Sequence, residues 1–157
     1  MSLMELHELQ VGQMLKVSGK FREGKGFLGV KITLELPNEE ATLEGLVQNI
    51  DLQRRTLRLF DQDIALRNGV EVRDLELGSL GLGDLQVGQM VKVKGCYDDA
   101  KGFVPRKVKR GYTMEFNIEE IHGLINKLDV QKRTLEVNGI TAVVASNAII
   151  EGLENSD

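Results

Sequence analysis

The sequence contains no tryptophan, one cysteine, two prolines and two histidines among 157 residues, and only 4% of it is aromatic. A single thiol, Cys96, excludes an intrachain disulfide and a cysteine-based zinc site. With so few aromatic side chains, a hydrophobic core has to rest on leucine, valine and isoleucine. No apolar run is long enough for a transmembrane helix, and no signal peptide is attached, so membrane insertion is not expected.

Neither charge sign dominates the chain. Residues 1–78 carry ten basic and thirteen acidic side chains, residues 79–157 carry ten and eleven, and the net charge is −4. This balance excludes a global attraction to nucleic acid or to an anionic membrane. The lone thiol favours a reducing, cytoplasmic compartment. However, Met1-Ser2-Leu3 before Met4 resembles a cloning scar, so export after removal of a leader stays open.

An eleven-residue phrase occurs twice. Leu9–Gly19 returns as Leu85–Gly95 with nine identical positions. Gly26-Phe27 returns 76 residues later, whereas Gly45-Leu46 returns 78 residues later, which predicts a longer connection around residues 110–117. A repeat at a nearly constant offset indicates one supersecondary unit built twice.

Apolar and polar residues alternate with period two within the repeated phrases, which is typical of half-buried strands. No sustained helical stripe exists, although 118–121 and 145–153 are compatible with single helical turns. Asn138-Gly139 predicts a hairpin turn, and Asp51 and Asp129 predict turn starts. Five strands are expected in the first unit, at 14–18, 27–36, 42–51, 55–60 and 64–72. The predicted fold is all-β, with two tandem five-stranded OB-like barrels at residues 1–78 and 79–157.

A different division of the chain into two units follows from a resemblance to a known family. Gly45-Leu46-Val47, Ile50-Asp51 with Thr56-Leu57, and the phrase Leu85–Gly95 resemble the motif of an uncharacterised bacterial family of small OB-like domains. The resemblance implies a central unit at 43–110, with 1–36 and 117–157 completing the second barrel within the chain or with a neighbouring subunit. It implies no activity.

Groups for catalysis or metal binding are sparse. His7 and His122 lack partners at ligand spacing, so we expect no metal and no cofactor. The serines and Cys96 lack a nucleophile motif, which predicts a protein that is not an enzyme. Acidic pairs such as Asp98-Asp99 and Glu119-Glu120 are interpreted as solvated turns. A glycosidase-like carboxylate pair or a cation site depends on three-dimensional spacing and stays open.

The strongest local feature is a basic strand accompanied by aromatic residues. Basic and aromatic side chains together on an OB-like sheet are what single-stranded nucleic acid binding requires. The same lysines and arginines can instead protect an exposed strand from aggregation. The candidate ligand-binding residues are Lys92, Lys94, Tyr97, Phe103, Arg106, Lys107, Lys109, Arg110 and Tyr112.

These observations predict a non-enzymatic binding or assembly module of unknown ligand. A protein partner or self-association is compatible with it. Two alternatives remain: a single-stranded nucleic acid or oligosaccharide binder, with nucleic acid not favoured, and a small oxyanion- or metal-binding protein. The last rests on analogy between folds alone.

Overall fold

Twelve β-strands make up most of the regular structure among the residues that the structure describes. A computed structural model describes residues 3–38, 40–67, 69–74, 78, 80–111 and 118–153. Two 3₁₀ turns, Leu6–Glu8 and Leu82–Asp84, are the only helical elements within these ranges. The strands are β1 Met14–Arg22, β2 Gly26–Leu34, β3 Ala41–Leu46, β4 Asn49–Asp51, β5 Thr56–Leu59, β6 Gln62–Ala65, β7 Glu71–Arg73, β8 Met90–Asp98, β9 Gly102–Arg110, β10 Glu119–Asp129, β11 Thr134–Val137 and β12 Ile140–Glu151.

Five of these strands close into a barrel, in the order β1-β2-β12-β11-β10 and back to β1. All of its pairs are antiparallel except β12 with β2, which is parallel. Closure removes the free edges that an open sheet would expose. The barrel is filled by aliphatic side chains and one phenylalanine, including Leu15, Val17, Phe27, Ile32 and Ile121.

The remaining strands extend this barrel. β3 pairs with β10, and β8, β9 and β7 follow in the same sheet, while β4, β5 and β6 form a separate three-stranded sheet. No ladder joins β6 to β9 in the part of the chain that the structure describes. The prediction of an all-β protein is therefore confirmed. Where two tandem barrels were predicted, the structure has one closed five-stranded barrel with additional strands.

A proline lies where β9 would have to pair with β6. In the closed barrel, Val144 of β12 pairs with Gly29 of β2. Pro105 holds the corresponding place in β9, since both Gly29 and Pro105 follow a glycine-phenylalanine pair by two residues. Proline has no N–H to donate to a ladder. β9 therefore has no N–H to offer β6 at this place.

Two glycines allow the hairpins β1–β2 and β8–β9 to bend. The register shifts at Ser18/Gly19 and at Lys94/Gly95, which marks a bulge in each hairpin. A Cβ atom on Gly19 would lie 1.9 Å from the Leu28 carbonyl oxygen, and one on Gly95 would lie 2.1 Å from the Val104 carbonyl oxygen. Only glycine permits such a close approach of two backbones.

The predicted turns are present. Asp51 Oδ1 accepts a hydrogen bond from the Arg54 N–H, and Asp129 Oδ1 accepts one from the Lys132 N–H. Asn138 and Gly139 connect β11 to β12 with positive φ angles of 55° and 77°. The helical turns considered at 118–121 and 145–153 lie instead mostly in strands β10 and β12, because pairing with neighbouring strands overrides a weak local preference.

No helix in the described ranges is long and apolar enough to cross a membrane. The predicted longer connection at 110–117 falls mostly on residues 112–117, outside the described ones.

Candidate functional site

Four lysines lie together on the outer face of strands β8 and β9. Lys92 is paired directly with Lys109, and Lys94 with Lys107. Val91, Val93 and Val108 alternate with them and are fully buried, so the lysines point away from the core. We call Lys92, Lys94, Lys107 and Lys109 the lysine face. Lys107 and Lys109 are two residues apart in β9, so alternation along the strand places them on the same face.

Among the described residues, none of the four lysines forms an ion pair with a carboxylate. All four side chains are half-buried. Within the described ranges, no Asp or Glu carboxylate lies within 4.0 Å of any of the four ammonium groups. Like charges placed directly opposite one another destabilise a sheet. The arrangement therefore has a cost in the absence of an anion.

The two arginines of the basic strand are engaged elsewhere. Arg106 forms an ion pair with Glu40, and this hydrogen bond is the main reason why the pKa of Glu40 lies below its usual value. An Arg110 Nη2 atom lies 2.7 Å from Asp74 Oδ2. Both arginines thus hold β9 to neighbouring segments, and neither is a free cation on the lysine face.

Neither Phe103 nor Tyr97 accompanies the lysines on the outer face. Phe103 is 6% exposed and belongs to the core, and Tyr97, its partner across the hairpin, packs partly buried against that core. Burial, with smaller effects of Asp99, Glu136 and Asp98, raises the pKa of the Tyr97 phenol. Tyr112 lies outside the described residues. The stacking platform that the sequence indicated is not formed by Tyr97 and Phe103.

Carboxylates border the lysine face on both sides. Glu44 of β3 pairs with Lys92, and Glu71 of β7 pairs with Lys107. Burial, followed by the neighbouring Glu120 carboxylate, raises the pKa of Glu44, whereas Lys92 and Lys16 oppose this rise. These carboxylates limit the cationic area to the four lysines of β8 and β9.

The corresponding surface of the closed barrel has a different charge. The positions that match the lysine face are Lys16, Ser18, Lys31 and Thr33. Lys31 lies 3.6 Å from Glu151, and the Ser18 hydroxyl lies 3.4 Å from Glu120. Only two of the four positions are basic, and one of those two is neutralised. The closed barrel therefore does not reproduce the lysine face at its matching positions.

Glu119, which the sequence indicated as part of a solvated turn, is buried in strand β10, and His122 of the same strand is half-buried. Glu119 is 6% exposed, and its Oε1 accepts a hydrogen bond from the Phe21 N–H at 3.1 Å. His122 is half-buried on β10, and burial lowers the pKa of its imidazole. The only sequence signal for Glu119 is that Ala41, an apolar residue, stands at the matching place in the other copy.

No cluster of three or more His, Cys, Asp or Glu side chains that could hold a metal occurs among the residues that the structure describes. Cys96 is exposed.

No protein-family model matches the chain, and neither the curated proteins nor the solved structures contain a match. The function must therefore be argued from the geometry of this molecule.

Proposed function

We propose that the protein is a non-enzymatic binding module that takes a polyanion on its lysine face. The observation that carries this proposal is the pairing of Lys92 with Lys109 and of Lys94 with Lys107, with no carboxylate within ion-pair distance in the described ranges. A bound anion would relieve the repulsion within both pairs.

The spacing of the lysines fits a chain of phosphate or sulfate groups. Directly opposite residues on antiparallel strands have Cβ atoms about 5 Å apart. Residues two apart along a strand are separated by about 7 Å. Four ammonium groups on such a grid can follow a linear polyanion over several repeats, whereas one small oxyanion would contact only part of the grid.

A polyanion that is recognised by its charge alone, without bases stacking on aromatic side chains, fits this face best. Tyr97 and Phe103 face the core, so neither offers an aromatic surface beside the lysines. Single-stranded nucleic acid remains the second candidate through its phosphates, since backbone contacts supply most non-specific binding. Small oxyanions such as molybdate and sulfate remain the third candidate, and the same face would receive them.

We also propose that the chain consists of two units, with the boundaries that the family resemblance implies. One unit spans residues 43–110, and the other is formed by the segments 1–36 and 117–157. Leu43 and Ile121, which lie 78 residues apart and match in the repeat, pair directly with each other across β3 and β10. An arrangement in which matching residues meet is typical of two units related by a two-fold axis, and this supports the proposal.

The proposed function is tested by binding measurements with defined polyanions. Inorganic polyphosphate and a fluorescent single-stranded oligothymidylate are titrated between 50 and 300 mM NaCl, roughly the range over which counterion release is measured. The variant Lys92→Gln/Lys107→Gln is compared with Lys16→Gln/Lys31→Gln, which changes the matching positions of the closed barrel. For the oligothymidylate, the first variant is expected to reduce the slope of log K against log[NaCl] by about 1.4, or about 0.7 for each lysine.

The control variant is expected to bind like the wild type. Equal losses in both variants would show that the lysine face is not the site, and absence of binding to either ligand at low salt would overturn the proposal. Saturation by molybdate or sulfate at lower concentration than by polyphosphate would favour the third candidate.

A further inference from the structure

A groove with apolar walls runs along the outer surface of the closed barrel, beside the seam of β2 and β12. We call it the β2–β12 groove. It encloses about 470 Å³, and its walls include Leu28, Val30 and Val143. Lys20, Arg22 and Lys25 lie at its border, where β1 turns into β2. A volume of this size is within the range of small-molecule sites.

The apolar walls are unusual for their position. Leu28, Val30 and Val143 are 47%, 45% and 42% exposed, although outward positions on a half-buried strand are normally polar. Val143 is the direct neighbour of Leu28 across the parallel pair. Exposed apolar side chains gathered in one place mark surfaces that bind apolar groups.

The border of the groove carries charge of one sign. Lys20, Arg22 and Lys25 are exposed, and none has a carboxylate within 4.0 Å among the residues that the structure describes. No acidic residue lines the groove in those ranges. The cations are therefore available to an anionic group whose apolar part lies against Leu28 and Val143.

The matching place beside β6 and β9 lacks this combination. A cavity of about 340 Å³ is found there, with Ala65 and Val104 in the places of Val143 and Leu28. Asp63 lines it, and Cys96 and Asp98 stand where the closed barrel has Lys20 and Arg22. The combination of apolar walls and a basic border is thus found in the β2–β12 groove and not in the matching cavity. That cavity serves as a matched control within the same molecule.

We propose that the β2–β12 groove binds a monomeric anionic amphiphile of the long-chain carboxylate type. Its hydrocarbon chain lies along Leu28, Val30 and Val143, and its head group contacts Lys20, Arg22 or Lys25. This site is separate from the lysine face, which uses strands β8 and β9.

The test uses three amphiphiles with one tail and different heads: dodecanoate, dodecyltrimethylammonium and dodecyl maltoside, each below its micellar concentration. Binding is followed by calorimetry and by amide chemical shifts of the full chain. Dodecanoate is expected to bind, with shift changes centred on residues 27–30 and 142–144. Equal affinity for the cationic or the neutral amphiphile, or shift changes elsewhere, would overturn the proposal.

Two pairs of variants locate the groups involved. Val143→Asp puts a carboxylate into the wall and is expected to weaken dodecanoate binding at least about tenfold. Ala65→Asp, at the matching exposed position of β6, is expected to leave it unchanged. Lys20→Gln/Arg22→Gln is expected to weaken dodecanoate binding and to make that binding less dependent on the NaCl concentration. Lys101→Gln is expected to change neither. If Ala65→Asp or Lys101→Gln weakens binding as much, the groove is not the site.

Vesicles of phosphatidylglycerol distinguish a free amphiphile from a membrane surface. Binding to vesicles without binding to monomeric dodecanoate would contradict the proposal, as would absence of binding to both.

Discussion

Glu119 connects two parts of the sheet through one buried carboxylate. Its Oε1 accepts the Phe21 N–H of β1, and the N–H of Leu46 in β3 also donates to the carboxyl group. Burial raises the pKa of Glu119 above the ordinary value of 4.5, and these two N–H groups oppose the rise without cancelling it. The carboxyl group of Glu119 therefore positions the ends of these strands, although its ionisation in the folded protein is unfavourable.

The variant Glu119→Gln is expected to change how stability depends on pH. At pH values between 4.5 and the raised pKa of the folded state, the native protein keeps a proton that the unfolded chain has released. The contribution of Glu119 to the free energy of unfolding therefore falls as pH rises through this window and is constant above it. The free energy of unfolding of the wild type minus that of the variant should therefore decrease as pH rises through this window.

Urea denaturation from pH 4.5 to 8, roughly the span over which most folded proteins are stable, measures this difference. Effects of Glu44, whose pKa is raised, and His122, whose pKa is lowered, occur in both proteins and cancel. Parallel stability curves would show that Glu119 does not titrate as inferred.

At the scale of elements, the interruption between β6 and β9 is the main departure from a second closed barrel. β7 does pair with β9, at Val72 and Val108, in the same parallel sense as β12 with β2. The gap is thus confined to the stretch beside Pro105, where the strand lacks a donor.

Replacing Pro105 by valine is expected to close part of this gap. Valine supplies the missing N–H, and its β-branched side chain suits a strand. The amide of residue 105 should then exchange slowly with solvent, as we expect for the amide of Gly29 in the paired strand β2. The measurement is native-state hydrogen exchange by NMR. Fast exchange at residue 105 would mean that the proline is a consequence of the open gap and not its cause.

Strand positions were largely predictable, whereas strand partners were not. Period-two alternation located the strands around Met14–Ser18 and Thr56–Leu57 because burial of one face requires it. Alternation contains no information about which strand lies next to which. β10 pairing with both β1 and β3 depends on contacts between residues about 100 and about 80 apart, which no local pattern specifies.

For the candidate site, sequence predicted the lysines but not their surroundings. Lys107 and Lys109 share a face by alternation alone, and the repeat indicated that Lys92 and Lys94 lie on a neighbouring strand. The engagement of Arg106 by Glu40 comes from a segment 66 residues away in the chain. The position of Phe103 in the core requires knowing which side of β9 faces inward at the bulge, and a one-residue shift reverses that side.

At the scale of the whole molecule, aromatic packing joins the closed barrel to the additional strands. The ring of Phe60, which follows β5, lies 5.5 Å from the ring of Phe21 and 5.8 Å from that of Phe27, both edge-on. Gln62 Nε2 also donates to the Asn138 carbonyl oxygen at 3.3 Å. These contacts make the two parts of the molecule dependent on each other.

The variant Phe60→Ala is expected to lower the free energy of unfolding by about 3–5 kcal/mol. Alanine and phenylalanine both carry a Cβ atom, so the positive φ of residue 60 is strained in both, and the loss reports packing. Leu52→Ala, at a side chain that is 61% exposed, is the control and should change little. Hydrogen exchange should accelerate in β2 as well as in β5. Acceleration in β5 alone would show that the two parts unfold independently.

The parallel pair of β2 and β12 has a consequence for the order of folding. Phe27 pairs with Ala142, a separation of 115 residues along the chain. On a ribosome, β2 leaves the exit tunnel long before its partner is synthesised, and its free edge is open to other chains until then. A contact between such distant segments also has a high loop-closure cost, which slows folding. The barrel should therefore close late, and association of incomplete chains through β2 is the misfolding route to which this topology is most exposed.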